Sequence, residues 1–220
     1  MKKIKWSYAF GEILIVILGI SIAFSMNKCA EESRDNKLKK QYIESLISDL
    51  DADKKQLTEL VGSMQEKLET IQPLLTQLDT NAPEKQKLIR NVMSAAIIHQ
   101  FIPRKATFNT LVNSGDLKLI EDIELKKDID NHYTKSYTQF QNANFRVENI
   151  NKEYLADYFI YNDFATLKIE SGKQFTFKDE NLLKGIFNST FYAVKYKILR
   201  AQESIKSCKN LIEKLKEELE

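Results

Sequence analysis

A predominantly apolar run extends from Tyr8 to Met26, reading YAFGEILIVILGISIAFSM, and Glu12 is its only charge. At helical rise its nineteen residues span roughly 28 Å, close to the thickness of a bilayer hydrocarbon core. Trp6 and Tyr8 stand where interfacial aromatics sit, and Lys2, Lys3 and Lys5 form a short cationic tail that favours a cytoplasmic N-terminus. Ala23-Phe24-Ser25 offers small residues for signal-peptide cleavage, but the run is long for a signal core, so an uncleaved anchor is expected. No second apolar run of this length follows, which predicts a single crossing. The pattern divides the chain into a basic tail (1–7), a transmembrane helix (8–26), a polar stalk (27–37) and a helical domain (38–220).

Within the apolar run, Glu12, Val16, Gly19 and Ala23 are spaced by four, three and four residues and share one helical face. Gly19 and Ala23 make a small-xxx-small pair. The face is a candidate for close packing against another transmembrane helix, with Glu12 pairing across it. The alternative is that Glu12 rests at the interface, near the positive end of its own helix.

Beyond the stalk the period remains helical. Leu57, Val61, Met64, Leu68, Ile71, Leu75 and Leu78 alternate steps of four and three, and with Ile43, Leu46 and Leu50 they predict a helix from about Leu38 to Leu78. Pro73 is expected to kink its last turns. Asp79 to Pro83 reads as a turn into a second helix carrying Leu88, Val92, Ala95, Ala96 and Ile98, expected to end near Ile102 because Pro103 follows. A short helix from Thr107 to Asn113 stops at Ser114-Gly115, a candidate left-handed cap. A third long helix is predicted from Ile123 to Tyr161, with Leu125, Ile129, Tyr133, Phe140, Ala143, Val147, Ile150 and Tyr154 along its seam. Leu167 and Ile169, then Phe175 and Phe177, alternate with polar residues around Ser171-Gly172 and read as a small β-hairpin. Asp179 can cap a final helix whose seam is Val194, Ile198, Ala201, Ile205, Cys208, Ile212, Leu215 and Leu219. The fold class is therefore all-α: a transmembrane helix followed by an elongated antiparallel helical bundle of order 60 Å, with one small β-hairpin. Such seams also permit a homodimer.

Composition supports few, long helices, since the 220 residues include only 6 Gly and 3 Pro. The net charge is +2, but Lys2, Lys3, Lys5, Lys28 and Glu12 belong to the anchor region. Setting these aside leaves 29 of the 33 basic residues against 30 of the 31 acidic ones. A balanced domain of this kind lacks the basic face that nucleic acid requires. Cys29 and Cys208 form no CxxC pair, and one disulfide between them is the most that two cysteines allow. His99 and His132 have no acidic or thiol neighbour at ligand spacing, so ordinary helix histidines are expected and no metal or cofactor is implied.

Two stretches resemble an uncharacterised family of Bacteroidota proteins, a domain of unknown function. Gly11–Asn27, GEILIVILGISIAFSMN, followed by Glu31-Glu32, is similar to that family's opening anchor. Ala106–Tyr133, ATFNTLVNSGDLKLIEDIELKKDIDNHY, is similar to its central pattern of an aromatic, a leucine, Ser-Gly, a Leu-x-Leu-Ile turn and a helix closing in Tyr. The resemblance implies a single-pass envelope protein and brings no catalytic residues.

Three function classes follow. The first is a non-enzymatic interaction or scaffold module in the bacterial inner membrane, its bulk in the periplasm, with a second copy or another envelope protein as partner. The chain has no Gly-rich phosphate loop, no GxSxG and no compact His/Asp/Glu cluster. The second is a ligand-sensing bundle. Of the 21 Phe and Tyr residues, 15 lie between Tyr133 and Tyr196, and Tyr154, Tyr158, Phe159, Tyr161 and Phe164 are candidates to line a pocket. A plain core is the commoner use of such residues. The third is an enzyme built on Asp116, Glu121, Asp122 and Glu124, acids better suited to the start of the third helix.

Overall fold

The computed structural model describes residues 6–77, 91–161 and 179–219. All regular structure among them is helical, without a strand. Phe164 and the expected β-hairpin lie outside the described residues.

Helix α1 runs from Trp6 to Gln77, 72 residues or about 108 Å at helical rise, and continues through Pro73. Its apolar N-terminal stretch packs against nothing, and large residues from Phe10 to Met26 are more than half exposed. Among the described residues this is the one helix long and apolar enough to cross a membrane. The first buried residue is Ile43, about 25 Å further along the helix than Met26. Helix α2 spans Ala106–Ser114 and ends at Gly115, whose φ of 76° is a left-handed cap conformation that suits a residue without Cβ. Tyr42 then donates to Asp116 (2.9 Å), tying the cap region to α1.

Helix α3 is a continuous rod over residues 123–161. Asp122 caps it, accepting from the amides of Glu124 (2.7 Å) and Leu125 (3.2 Å), the N-terminal role expected for it, whereas Asp116 accepts from Tyr42 and Ser114 and Glu124 pairs with Lys127. Two π-helical turns, Asn131–Ser136 and Asn151–Leu155, interrupt its α-helical winding. They explain which residues face inward. The buried steps Ile129, Tyr133, Tyr137 and Val147, Asn151, Leu155 each contain two successive fours. In a pure α-helix such steps drift round the surface, and a wider turn cancels the drift. The second π turn carries Tyr154 outward, whereas the simple heptad reading places it in the seam.

Helix α4 spans Glu180–Glu217 and is capped by Asp179, whose carboxylate accepts from the amide of Leu182 (3.2 Å). Asp179 adopts φ 50°, a left-handed conformation that Asp tolerates better than most residues. α4 lies antiparallel to α1. Lys39 pairs with Glu218 at one end, and Ile71 and Leu74 join Leu183 and Phe187 in one apolar cluster at the other. It is also antiparallel to α3, through Lys214 with Asp128, Ser207 with His132 and Ser204 with Ser136. α1 and α3 therefore run in the same direction, and the chain between them must cross back.

The expected turn from Asp79 to Pro83 and the start of the second helix lie outside the described residues, and the described remainder ends earlier than the expected Ile102. Residues 91–95 are helical, and from residue 97 to Lys105 the backbone has no regular structure. Pro103 cannot donate and disfavours helical geometry at Ile102. Side chains of the neighbouring helices hold the backbone groups that a helix would have paired internally.

Candidate functional site

The innermost row of α1 is Ile43, Leu46, Leu50, Asp53, Leu57, Leu60, Met64, Lys67, Ile71 and Leu74, a strict alternation of three and four. Asp53 is 0% and Lys67 6% exposed. In α4 the corresponding row is Leu183, Phe187, Thr190, Val194, Lys197, Ala201, Ser204, Cys208, Leu211 and Leu215, and Lys197 is 1% exposed. A purely apolar reading selects Val61, Leu68 and Ile205 instead, and the structure leaves these three half-buried on the flanks.

Charged groups persist inside because the strap, residues 97–105, supplies partners. Lys67 Nζ donates to the carbonyl of Ile97 (2.6 Å), Lys197 Nζ to that of His99, and Gln141 Nε2 to that of Phe101 (3.3 Å). Asn151 Nδ2 donates to the Ala96 carbonyl just before it (2.9 Å). At the far end the Asp53 carboxylate accepts from the Arg104 amide (3.0 Å) and from Arg104 Nη1 (2.8 Å). From Lys67 back to Asp53 is fourteen residues, about 21 Å of helix, and Ile97 to Arg104 covers about 23 Å when extended. The strap thus lies nearly extended along α1, in the opposite direction. Phe101 anchors it, packing edge-on against Tyr137 (centroids 5.5 Å apart) and Phe140 (5.4 Å).

A buried polar chain continues from Asp53. Tyr137 Oη donates to Asp53 Oδ2 (2.7 Å) and lies 3.8 Å from Cys208 Sγ, which is 3.7 Å from His132 Nε2. His132 Nδ1 meets Ser207 Oγ at 2.8 Å. Burial pushes the Cys208 thiol up to about 12 and the His132 imidazole down to about 4. At neutral pH both are uncharged, the opposite of a thiolate–imidazolium nucleophile. His99 belongs to the strap rather than to a helix, and Cys29 (exposed) and Cys208 (buried) are both free thiols, which removes the disulfide alternative.

Burial likewise holds Lys67 and Lys197 down at about 8, from 10.5. A lysine with a depressed folded pKa penalises the fold while the unfolded chain keeps its proton, and the penalty lifts as pH rises from about 8 towards 10.5. Burial raises Tyr133 and Tyr137, so tyrosine ionisation in the unfolded chain opposes this gain above the ordinary tyrosine value of 10.0. For His132 the folded form loses stability as pH falls from 6.5 towards about 4. Chemical denaturation of the full chain should therefore show stability increasing by roughly 2 kcal/mol from pH 8 to 9.5. It should show a separate decline between pH 6.5 and 4. A flat alkaline limb would mean that the two ammonium groups are solvated.

Residues 12–191 match a family of unknown function (DUF6090), most of the chain and all of the strap. The chain belongs to this family. No curated protein and no solved structure matches it. The span matched in this DUF6090 member includes Asp53, Lys67 and His132 and ends before Lys197, Ser204 and Cys208. Its description carries no activity to transfer.

The residues singled out from the sequence fall in separate places. Glu12, Val16, Gly19 and Ala23 are all exposed on the apolar part of α1. Tyr158 is buried in the second apolar cluster, Phe159 packs against that cluster, and Tyr161 is exposed. Tyr154 lies apart from them, on a groove of about 660 Å³ between α3 and α4 whose other walls include Arg146, Ile150, Leu182, Ile186 and Tyr192. A second groove, of about 510 Å³, lies nearer the other end of α4 and mixes acids, amides and lysines, with Ser207 among its lining residues. Among the described residues no His, Cys, Asp and Glu cluster could hold a metal ion. Sequence reasoning missed the strap and its clamps. The one signal for them was a polar residue recurring at heptad spacing inside an apolar row.

Proposed function

We propose that this is a single-pass, membrane-anchored helical protein of the bacterial envelope that acts without catalysis, binding a second copy or another envelope protein from a periplasmic bulk. The observation that carries the reading is α1: one uninterrupted helix joins the unpacked apolar stretch to the buried seam. An anchor continuous with a core helix holds the domain at a fixed distance and azimuth from the membrane, as a scaffold or spacer requires. The interior charged groups support the same reading, because Asp53, Lys67 and Lys197 are engaged with the strap, and Cys208 and His132 lie against neutral neighbours. The exposed face of Glu12, Val16, Gly19 and Ala23 offers a surface for a second transmembrane helix.

The test is crosslinking in living cells followed by recovery of the full chain, compared with a chain lacking residues 1–28. A specific envelope partner or self-dimer that is lost with the anchor is the expected result. Recovery of the full chain with neither would overturn the proposal.

A further inference from the structure

The groove between α3 and α4 has a polarity of its own. Arg146, Ile150 and Tyr154 lie at intervals of four along α3, a stripe about 12 Å long. Leu182, Ile186 and Tyr192 face them from α4. Ile150, Leu182, Ile186 and Ala193 give the trough its apolar wall, Asn181 and Ser189 add two neutral polar side chains, and its one cation, Arg146, stands at an end. Arg146 has no carboxylate within ion-pair distance among the described residues, and it sits over the Tyr196 ring with 5.7 Å to the centroid. Tyr154 (55% exposed), Leu182 (47%) and Tyr192 (63%) leave a concentrated apolar surface open around the trough. Gly185, in the interior of α4, costs that helix about 1 kcal/mol relative to alanine. A Cβ built there meets nothing within 4 Å. The missing side chain therefore relieves no clash in the core, and what it leaves open is the groove.

We propose that this groove binds a linear anionic amphiphile, a free fatty-acid-like molecule whose chain lies along the trough and whose carboxylate pairs with Arg146. The charge decides the headgroup: a guanidinium without a carboxylate partner among the described residues favours a carboxylate or phosphate and disfavours a cation. The length and the single charge at one end decide the body, and the volume suits a ligand of that size. Position decides the source. The groove packs beside Ile71 and Leu74, so it lies roughly 65 Å along α1 from Met26, beyond reach of a bilayer holding the apolar stretch. The ligand is thus a dissolved molecule and not a resident lipid. This inference stands independently of the proposed partner binding.

The experiment places the full chain in nanodiscs of zwitterionic phospholipid, adds a diazirine-bearing fatty acid, irradiates, and maps adducts by mass spectrometry. Adducts are expected on peptides containing Ile150–Tyr154 and Leu182–Tyr192. Excess dodecanoate should suppress them about tenfold, and dodecyltrimethylammonium should not. Gly185→Leu should abolish labelling, and Arg146→Ala, a surface change, should weaken it about tenfold. Circular dichroism melting checks that both variants stay folded; if Gly185→Leu melts early, Arg146→Ala decides. Adducts confined to residues 8–26, no adducts at all, or equal competition by the alkyl cation would each overturn the proposal.

Discussion

Asp53→Ala is expected to lower the melting temperature of the full chain by about 10 °C. The carboxylate is fully buried and accepts from Tyr137 Oη, the Arg104 amide and Arg104 Nη1. Truncation leaves the tyrosine hydroxyl and the backbone donor without an acceptor, and breaking a buried charged cluster from one side costs about 3–5 kcal/mol. In a domain of this size that corresponds to the stated shift. Tyr137→Phe removes one donor and keeps the ion pair, so it should cost only about 1 kcal/mol. Amide hydrogen exchange locates the effect: residues 97–105 should exchange faster in Asp53→Ala while the seam around Leu46 changes little. Unaltered strap exchange would show that Arg104 is held by something other than Asp53.

Phe101→Ala is the second large effect, about 3–5 kcal/mol. Its ring is 3% exposed and meets Tyr137 and Phe140 edge-on. It is the one aromatic side chain the strap inserts beside these rings, so its loss opens a cavity and releases the segment whose carbonyls hold Lys67 and Lys197. The two lysines then gain water, and their pKa values should move back up towards 10.5. The variant should therefore both melt earlier and lose the alkaline rise in stability between pH 8 and 9.5. A lower melting temperature with the alkaline rise intact would separate the aromatic anchor from the lysine clamps.

These expectations treat the strap as the element that makes a polar seam tolerable. An acid and two lysines on the innermost rows of α1 and α4 would ordinarily be costly. Each instead meets a backbone group of a segment that has no internal hydrogen bonds to spend them on. The arrangement is also selective: sliding α4 by one heptad would bring Ser204 to the position of Lys197 and leave the His99 carbonyl without its donor.

What the sequence determined by itself is the local and periodic part. The apolar run of α1, the heptad character of α1 and α4, the start of α3, the Gly115 cap and the Asp179 cap all follow from side-chain spacing or from one residue's conformational preference. Those forces act within a turn or two of the chain. The tertiary structure alone decided the rest. Ala95-Ala96-Ile97-Ile98 reads as helix, yet the chain leaves the helix there because Lys67, Lys197, Gln141 and Asn151, remote in sequence, capture its carbonyls. Asp53, Lys67 and Lys197 are absent from the apolar seams and are nevertheless buried, because whether a charge can be buried depends on a partner that the sequence does not place beside it. The groove is of the same kind. Tyr154 and Tyr192 are far apart along the chain, and only the antiparallel packing of α3 and α4 puts an aromatic pair, an open glycine and an arginine around one trough.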